Sequence, residues 1–335
     1  MILRSPGKTL GALRALLRGF KDPFGAGQQV GIKLHWGERG NCNFLPPWMA
    51  GEIVRWLKEM GASPLIFDTT VLYSGGRRRG QDSLATASEH GYSEADLGCP
   101  VVIADGMDGR DVLDIAADFK HFASVQVASL VNKLEGCVIF SHFKGHEEMC
   151  FGGAVKNIAM GFASRAQKQR IHADVYPELN SAKCTRCGDC IAVCPTGAAR
   201  SADGGYPFYE RELCIGCAQC IALCPEAALR ILWGKEPLII QERMVETAAA
   251  LWHIIGEKTI CINALTDIVA NCDCMRGRHP IIAPDFGFVG GYHPLAVDRE
   301  SLEIVGAAPF EKAHPRVPWQ RQFSYGQEIG FYPGS

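Results

Sequence analysis

The chain has 335 residues, 47% of them hydrophobic and 21% charged, with a formal net charge of −2. That composition supports a packed core and excludes a disordered chain, and the near-neutral balance gives no pull toward nucleic acid or an anionic membrane. No stretch approaches the roughly 20 apolar residues that a membrane-spanning helix needs, so no transmembrane segment is expected.

The N-terminal 25 residues carry Arg4, Lys8, Arg14, Arg18 and Lys21, with Leu10, Leu13, Leu17 and Phe20 at helical spacing. Arg14 and Arg18 interrupt the apolar stretch a secretory signal would need. The segment reads as an amphipathic helix, packed on the domain or lying on a surface. Apolar runs at 30–35, 64–70, 99–105, 124–128, 136–142 and 259–269 read as buried parallel strands. Between the first two, Pro46 and Pro47 open a helix pattern with Met49, Ile53, Val54, Leu57 and Met60 on one face, and Gly61 lies past its end. Strand, helix, strand is a βαβ unit, so the expected fold class is α/β: a largely parallel sheet with helices on both faces. It should occupy residues 1–177 and resume over 236–335, starting with a helix at 237–256. A small α+β module over 178–235 is read as an insertion.

Along the first half, Lys33, His35 and Glu38 end the first strand, where a cation, an imidazole and a carboxylate could share proton transfer or simply satisfy one another. The run of Arg77, Arg78 and Arg79 between glycines reads as a solvated loop that could cover an anionic substrate. In HFKGH, His142, Lys144 and His146 fall in a loop at the carboxyl end of a strand, where open α/β sheets bind ligands. The two histidines, with Cys150 close by, could bind a metal or substrate, or hydrogen-bond within the fold. FGGAVKN then opens a helix: Gly152 and Gly153 leave amides free, and with Lys156 and Asn157 these suit a carboxylate or phosphate, or else serve close packing. Neither GxxxxGK[ST] nor a strand-following GxGxxG is present, and no flavin fingerprint is seen.

Cysteine is the compositional outlier. Of fifteen, eight lie in two runs, CTRCGDCIAVCP at 184–195 and CIGCAQCIALCP at 214–225, which repeat at a period of 30. Each reads C-x2-C-x2-C-x3-C-P. A two-residue gap lets a tight loop point three thiolates at successive iron corners of a cubane, and the fourth cysteine ligates the other cluster. The expected cofactors are therefore two [4Fe-4S] clusters, one on Cys184, Cys187, Cys190 and Cys224, the other on Cys214, Cys217, Cys220 and Cys194. Paired zinc sites are the alternative, but zinc gains nothing from a third cysteine at this spacing. Thiolates that hold iron must stay reduced, which points to the cytoplasm of an anaerobic or low-oxygen cell. Further along, Cys272 and Cys274 of NCDC could ligate an additional metal or cluster with Cys261 or with His142 and His146. Cys42, Cys99 and Cys137 read as buried or incidental thiols.

The 184–225 repeat resembles bacterial two-cluster ferredoxins over roughly 55 residues. IKLHWGE at 32–38, HFKGH at 142–146, FGGAVKNIAMG at 151–161, NCDC at 271–274 and PDFGFVGGYHPLAVD at 284–298 resemble the family called domain of unknown function 362. That resemblance implies an iron–sulfur protein without an assigned reaction. The functional expectation is an oxidoreductase that passes electrons from the clusters to a pocket lined by His35, His142, Lys144, His146 and Lys156. Its partners would be an electron-donor or acceptor protein and an anionic small molecule. The alternative is a non-enzymatic electron-delivery, maturation or metal- and cluster-handling factor acting on a partner protein.

Overall fold

Strands buried on both faces need not alternate apolar and polar residues, and this chain's Val-, Ile- and Phe-rich runs pair on that basis. The computed structural model describes residues 1–332. Seven strands form one sheet, in the spatial order Ile2–Pro6, Gly287–Gly291, Thr259–Leu265, Gly136–His142, Gln29–Lys33, Ser63–Asp68 and Val101–Ile103. The last five are mutually parallel, and Gly287–Gly291 runs antiparallel to both its neighbours. Val138 and Phe140 enter the hydrophobic core on one face, Cys137 and Ile139 the core on the other.

The helix Leu10–Arg18 buries Leu13, Leu16 and Leu17 on the body, beside the proline-led helix Pro47–Glu59. Pro237–Ile255 covers the opposite face with Met244, Val245 and Leu251. Among the described residues no helix is long and apolar enough to cross a membrane.

One expectation needs correction. Ser124–Ala128 is not a parallel strand of the sheet; it pairs antiparallel with Val112–Ala116. The connection, residues 117–123, is too short for the dozen or more residues a parallel crossover requires. The mixed edge of the sheet was also not anticipated, because GFVGG at 287–291 offers little side-chain signal and Ile2–Pro6 is a short edge strand holding a proline.

Residues 178–235 hold only short elements: helices Asp189–Ala192 and Gln219–Leu223, and the strand pair Ala199–Arg200 with Phe208–Tyr209. The sequence repeat is also a backbone repeat. Left-handed φ values occur at Arg186, Gly188 and Gly197, and again thirty residues on at Gly216, Ala218 and Ala227. The segment is tied to the body by polar contacts. Gln169 pairs with both backbone groups of Leu232 (2.7 and 3.0 Å), and Gln219 donates to Gln126 (2.8 Å).

Candidate functional site

From Gln29–Lys33 the chain moves outward to Ser63–Asp68 and then Val101–Ile103, whereas from Gly136–His142 it moves the other way, to Thr259–Leu265. The carboxyl ends of Gln29–Lys33 and Gly136–His142 therefore diverge at a topological switch point, where open parallel sheets form their binding crevice. A cavity of about 430 Å³ lies there, in the size range of small-molecule sites. All six sequence candidates Lys33, His35, His142, Lys144, His146 and Lys156 line it, together with Cys272 and Cys274. Glu38 does not: its buried carboxylate accepts from the backbone N–H groups of Gly76 (2.6 Å) and Arg39 (3.0 Å).

The polar floor is built of internal pairs. Lys33 Nζ lies 3.0 Å from Asp68 and donates to Asn157 Oδ1 at 2.9 Å, while Arg77 pairs with the other Asp68 oxygen. Asn157 Nδ2 reaches across to the Phe140 carbonyl and Ser141 Oγ, both at 3.0 Å, and so bridges the two diverging strands. The close packing needs a glycine: a Cβ at Gly161 would stand 2.0 Å from Lys33 Cε. Burial alone would push the Asp68 carboxyl up, but Lys33 and Arg77 outweigh it and hold it well below the usual carboxylate range. Burial, aided by Arg77, lowers His35 to about 3. His35 is thus a neutral ring, accepting from Gly37 N on Nδ1 and facing Arg77 on Nε2.

HFKGH is more ordered than a loop. Lys144–His146 is a short strand paired with Cys150–Gly152. His142 turns away from any shared ligand: Nδ1 faces Asp273 at 3.0 Å and Nε2 faces the carbonyls of Thr266 and Asp267 at 3.0 and 3.1 Å. Lys144 joins Asp273 at 2.9 Å. Among the described residues of this pocket no three His, Cys, Asp or Glu side chains converge to hold a metal ion.

The expectation of free amides at the start of the helix Ala154–Phe162 is overturned. Asp298 occupies them, accepting from Ala154 N (2.6 Å) and Val155 N (2.9 Å), with Asn263 Nδ2 at 2.7 Å. Gly153 admits that carboxylate, since a Cβ there would lie 2.2 Å from Asp298 Oδ1. Lys156 instead donates to Cys272 Sγ at 3.0 Å.

Sequence reasoning missed several lining groups. Asp68 and Tyr73 follow or end a strand without any motif. Lys168 sits on Arg165–His172, a helix so polar that nothing marks it as interior, yet Lys168 is buried and donates to Thr69 Oγ1 at 2.7 Å. Burial lowers Lys168 to about 8, with Asp105 and Asp68 only partly opposing. Arg77, read as a solvated loop residue, is buried in the pocket. Its Nε and the hydroxyl of Tyr73 have no hydrogen-bond partner within the protein. Leu72, Met160, Trp233, Met244 and Met275 give the cavity an apolar wall.

The eight clustered cysteines surround two smaller cavities. One is lined by Cys184, Cys187, Cys190 and Cys224, the other by Cys214, Cys217, Cys220 and Cys194. Backbone amides already point at two of the sulfurs: Ala199 N donates to Cys194 Sγ at 3.4 Å and Ala228 N to Cys224 Sγ at 3.2 Å.

A largely parallel α/β sheet with a polar pocket at its switch point, joined to a cysteine-rich segment, defines the class of protein. The chain belongs to the family described as Domain of unknown function (DUF362), which matches residues 30–303. No curated protein matches its sequence. Among solved structures it is similar to the lactate racemase apoprotein from Thermoanaerobacterium thermosaccharolyticum (14% identity, 77% of this chain, 45% of that one, TM-score 0.37). It is also similar to a structural-genomics protein from Thermotoga maritima (10% identity, 90% of this chain, 60% of that one, TM-score 0.51). The chain spans 45% and 60% of the lengths of those two proteins. At such identity the Thermotoga likeness speaks to the fold alone.

Proposed function

We propose that this protein is an iron–sulfur oxidoreductase: residues 178–235 hold two [4Fe-4S] clusters, and electrons pass between them and a small molecule in the switch-point pocket. The residues present fit the group. Four thiols ring each cavity, the donor set of a four-iron cluster, with amides directed at the sulfurs. Bound clusters would supply single electrons. The protein's own contribution is to shape the pocket, fix its charges and keep the two sites close.

One observation carries the reading. Leu72 lines the pocket and also belongs to a small core with Ile221 and Leu229, against which the cysteines Cys190, Cys220 and Cys224 pack. Arg78 then clamps this boundary, donating to the carbonyls of Leu72 (2.7 Å) and Cys224 (3.0 Å). A stand-alone electron carrier has no need to place a ligand pocket one side chain away from a cluster cysteine. A partner protein that delivers the electrons has a landing surface in the exposed Tyr206, Phe208, Leu213 and Ile215 of the same segment; this is also the surface an electron-delivery or maturation factor would use.

Iron and sulfide analysis of anaerobically purified protein tests the proposal, with about eight irons per chain expected from two four-iron clusters. Folded protein that stays colourless and iron-poor overturns it.

A further inference from the structure

Of the thiols outside the cluster segment, Cys42 is exposed, Cys99, Cys137, Cys150 and Cys261 are buried in the core, and two remain beside the pocket. Cys272 and Cys274 both line the 430 Å³ cavity, separated by one residue in a turn that Met275 N closes on the Cys272 carbonyl at 3.0 Å. A turn of this kind brings the chain back on itself, into the short Cα separation that a disulfide requires. Cys272 Sγ accepts from Lys156 Nζ at 3.0 Å and from Cys274 N at 3.4 Å. His146 lines the same cavity. Its Nδ1 accepts from Glu148 N and Met149 N at 3.1 and 3.3 Å, which leaves the ring proton on Nε2. Two donors, one of them a lysine cation, converge on one sulfur, the environment of a thiolate nucleophile, and the neighbouring thiol is placed to resolve whatever that sulfur attacks.

We propose that Cys272 and Cys274 form a dithiol/disulfide couple that reduces a small-molecule disulfide held in the pocket. The Cys272 thiolate attacks one sulfur of R–S–S–R; the S–S bond breaks, a mixed disulfide forms on Cys272, and RS⁻ leaves. The Cys274 thiol then attacks Cys272 sulfur, closing the Cys272–Cys274 disulfide and releasing the second RSH with the Cys274 proton. Two electrons and one proton reopen the disulfide to thiolate and thiol. The net change is R–S–S–R plus two electrons and one proton to RS⁻ plus RSH. The reductant class is a one-electron iron–sulfur centre acting twice, and this last step alone rests on the reading given above. Met160, Met244, Met275 and Trp233 provide a soft, apolar wall for the organic part of the substrate.

The experiment uses the full chain, purified without oxygen, with bis(2-hydroxyethyl) disulfide as probe. After incubation the protein is denatured in iodoacetamide with a chelator, and every cysteine is mapped by mass spectrometry. The wild type should show a Cys272–Cys274 disulfide, and Cys274→Ser should stop at the mixed disulfide on Cys272. Lys156→Met should slow modification of Cys272 at pH 7 by at least about tenfold, because the thiolate loses its cation. Circular dichroism of each variant establishes that it is folded. Recovery of both cysteines in alkylated form, or an adduct confined to the exposed Cys42, overturns the proposal. The mapping needs no iron, so failure of the iron analysis would sink the cluster reading and leave this result standing on its own.

Discussion

The pocket and the cysteine-rich segment solve the same problem, keeping reactive polar groups inside a protein, in opposite ways. In the pocket nearly every charge has an internal partner: Asp68 with Lys33 and Arg77, Asp273 with His142 and Lys144, Lys156 with Cys272. Those partners come from distant parts of the chain and meet only at the switch point. In the segment from 178 to 235 the eight thiols face cavities, and their placement is local, set by left-handed turns that recur thirty residues apart. One site is completed by the protein itself. The other, on the function proposed above, would be completed by the clusters it holds.

The contrast breaks most sharply at the thiols. Cys187→Ala should lower bound iron by about four per chain and remove one reduced-state EPR signal, while far-UV circular dichroism shows the body intact. Global unfolding in its place would mean that the segment holds the whole chain together and that the two regions are not separable.

Next in size is the pocket's own ion network. Asp68→Ala leaves Lys33 and Arg77 buried without their carboxylate, and removal of one partner of a buried pair costs about 3–5 kcal/mol. A urea midpoint within error of the wild type would show that the pocket charges are not mutually dependent. Asp68→Asn should cost less, since it still accepts hydrogen bonds.

Asp298 offers a smaller and pH-dependent effect. Asp298→Ala strips the acceptor from Ala154 N and Val155 N and leaves Asn263 Nδ2 with Ser301 alone, a loss of about 2 kcal/mol. Burial raises the Asp298 carboxyl to about 6. Because the folded-state value lies above the ordinary one, the protonated form favours folding: the stabilisation is complete below pH 4 and is lost as pH rises through about 6. Between pH 5 and pH 7 the wild type should lose about 1 kcal/mol that Asp298→Asn does not. Parallel urea titrations of the two proteins at these pH values check it; equal slopes would remove the carboxylate from the account.

The smallest effect is a titration. Lys168, lowered to about 8 by burial, should lose its proton some two units below the roughly 10.4 of an exposed lysine. Its midpoint in an NMR titration of lysine side chains reads this directly. Any anion that relies on Lys168 should then bind less tightly as pH rises through 8.

How much of this was legible in the chain differs between the two regions. Apolar runs and a proline-led helix identified the five parallel strands and the βαβ unit, and His142, Lys144, His146, Lys33, His35 and Lys156 did meet in one cavity. The reading failed where a distant residue supplied the partner. Nothing in FGGAVKN announces that Asp298, more than 140 residues away, will occupy its amides. Arg77 looked solvated because its neighbours are Arg78 and Arg79, and only the packed sheet turns it inward onto Asp68.

Local chemistry is what the sequence determined by itself: cysteine spacing, the thirty-residue repeat, the strand and helix periods, because each depends on residues a few positions apart. Only the tertiary structure decided which charges neutralise one another, which helix end is already filled, and that Leu72 and Cys224 share a boundary. Those outcomes depend on where the sheet reverses its winding, and strand order is settled by the packing of the whole chain.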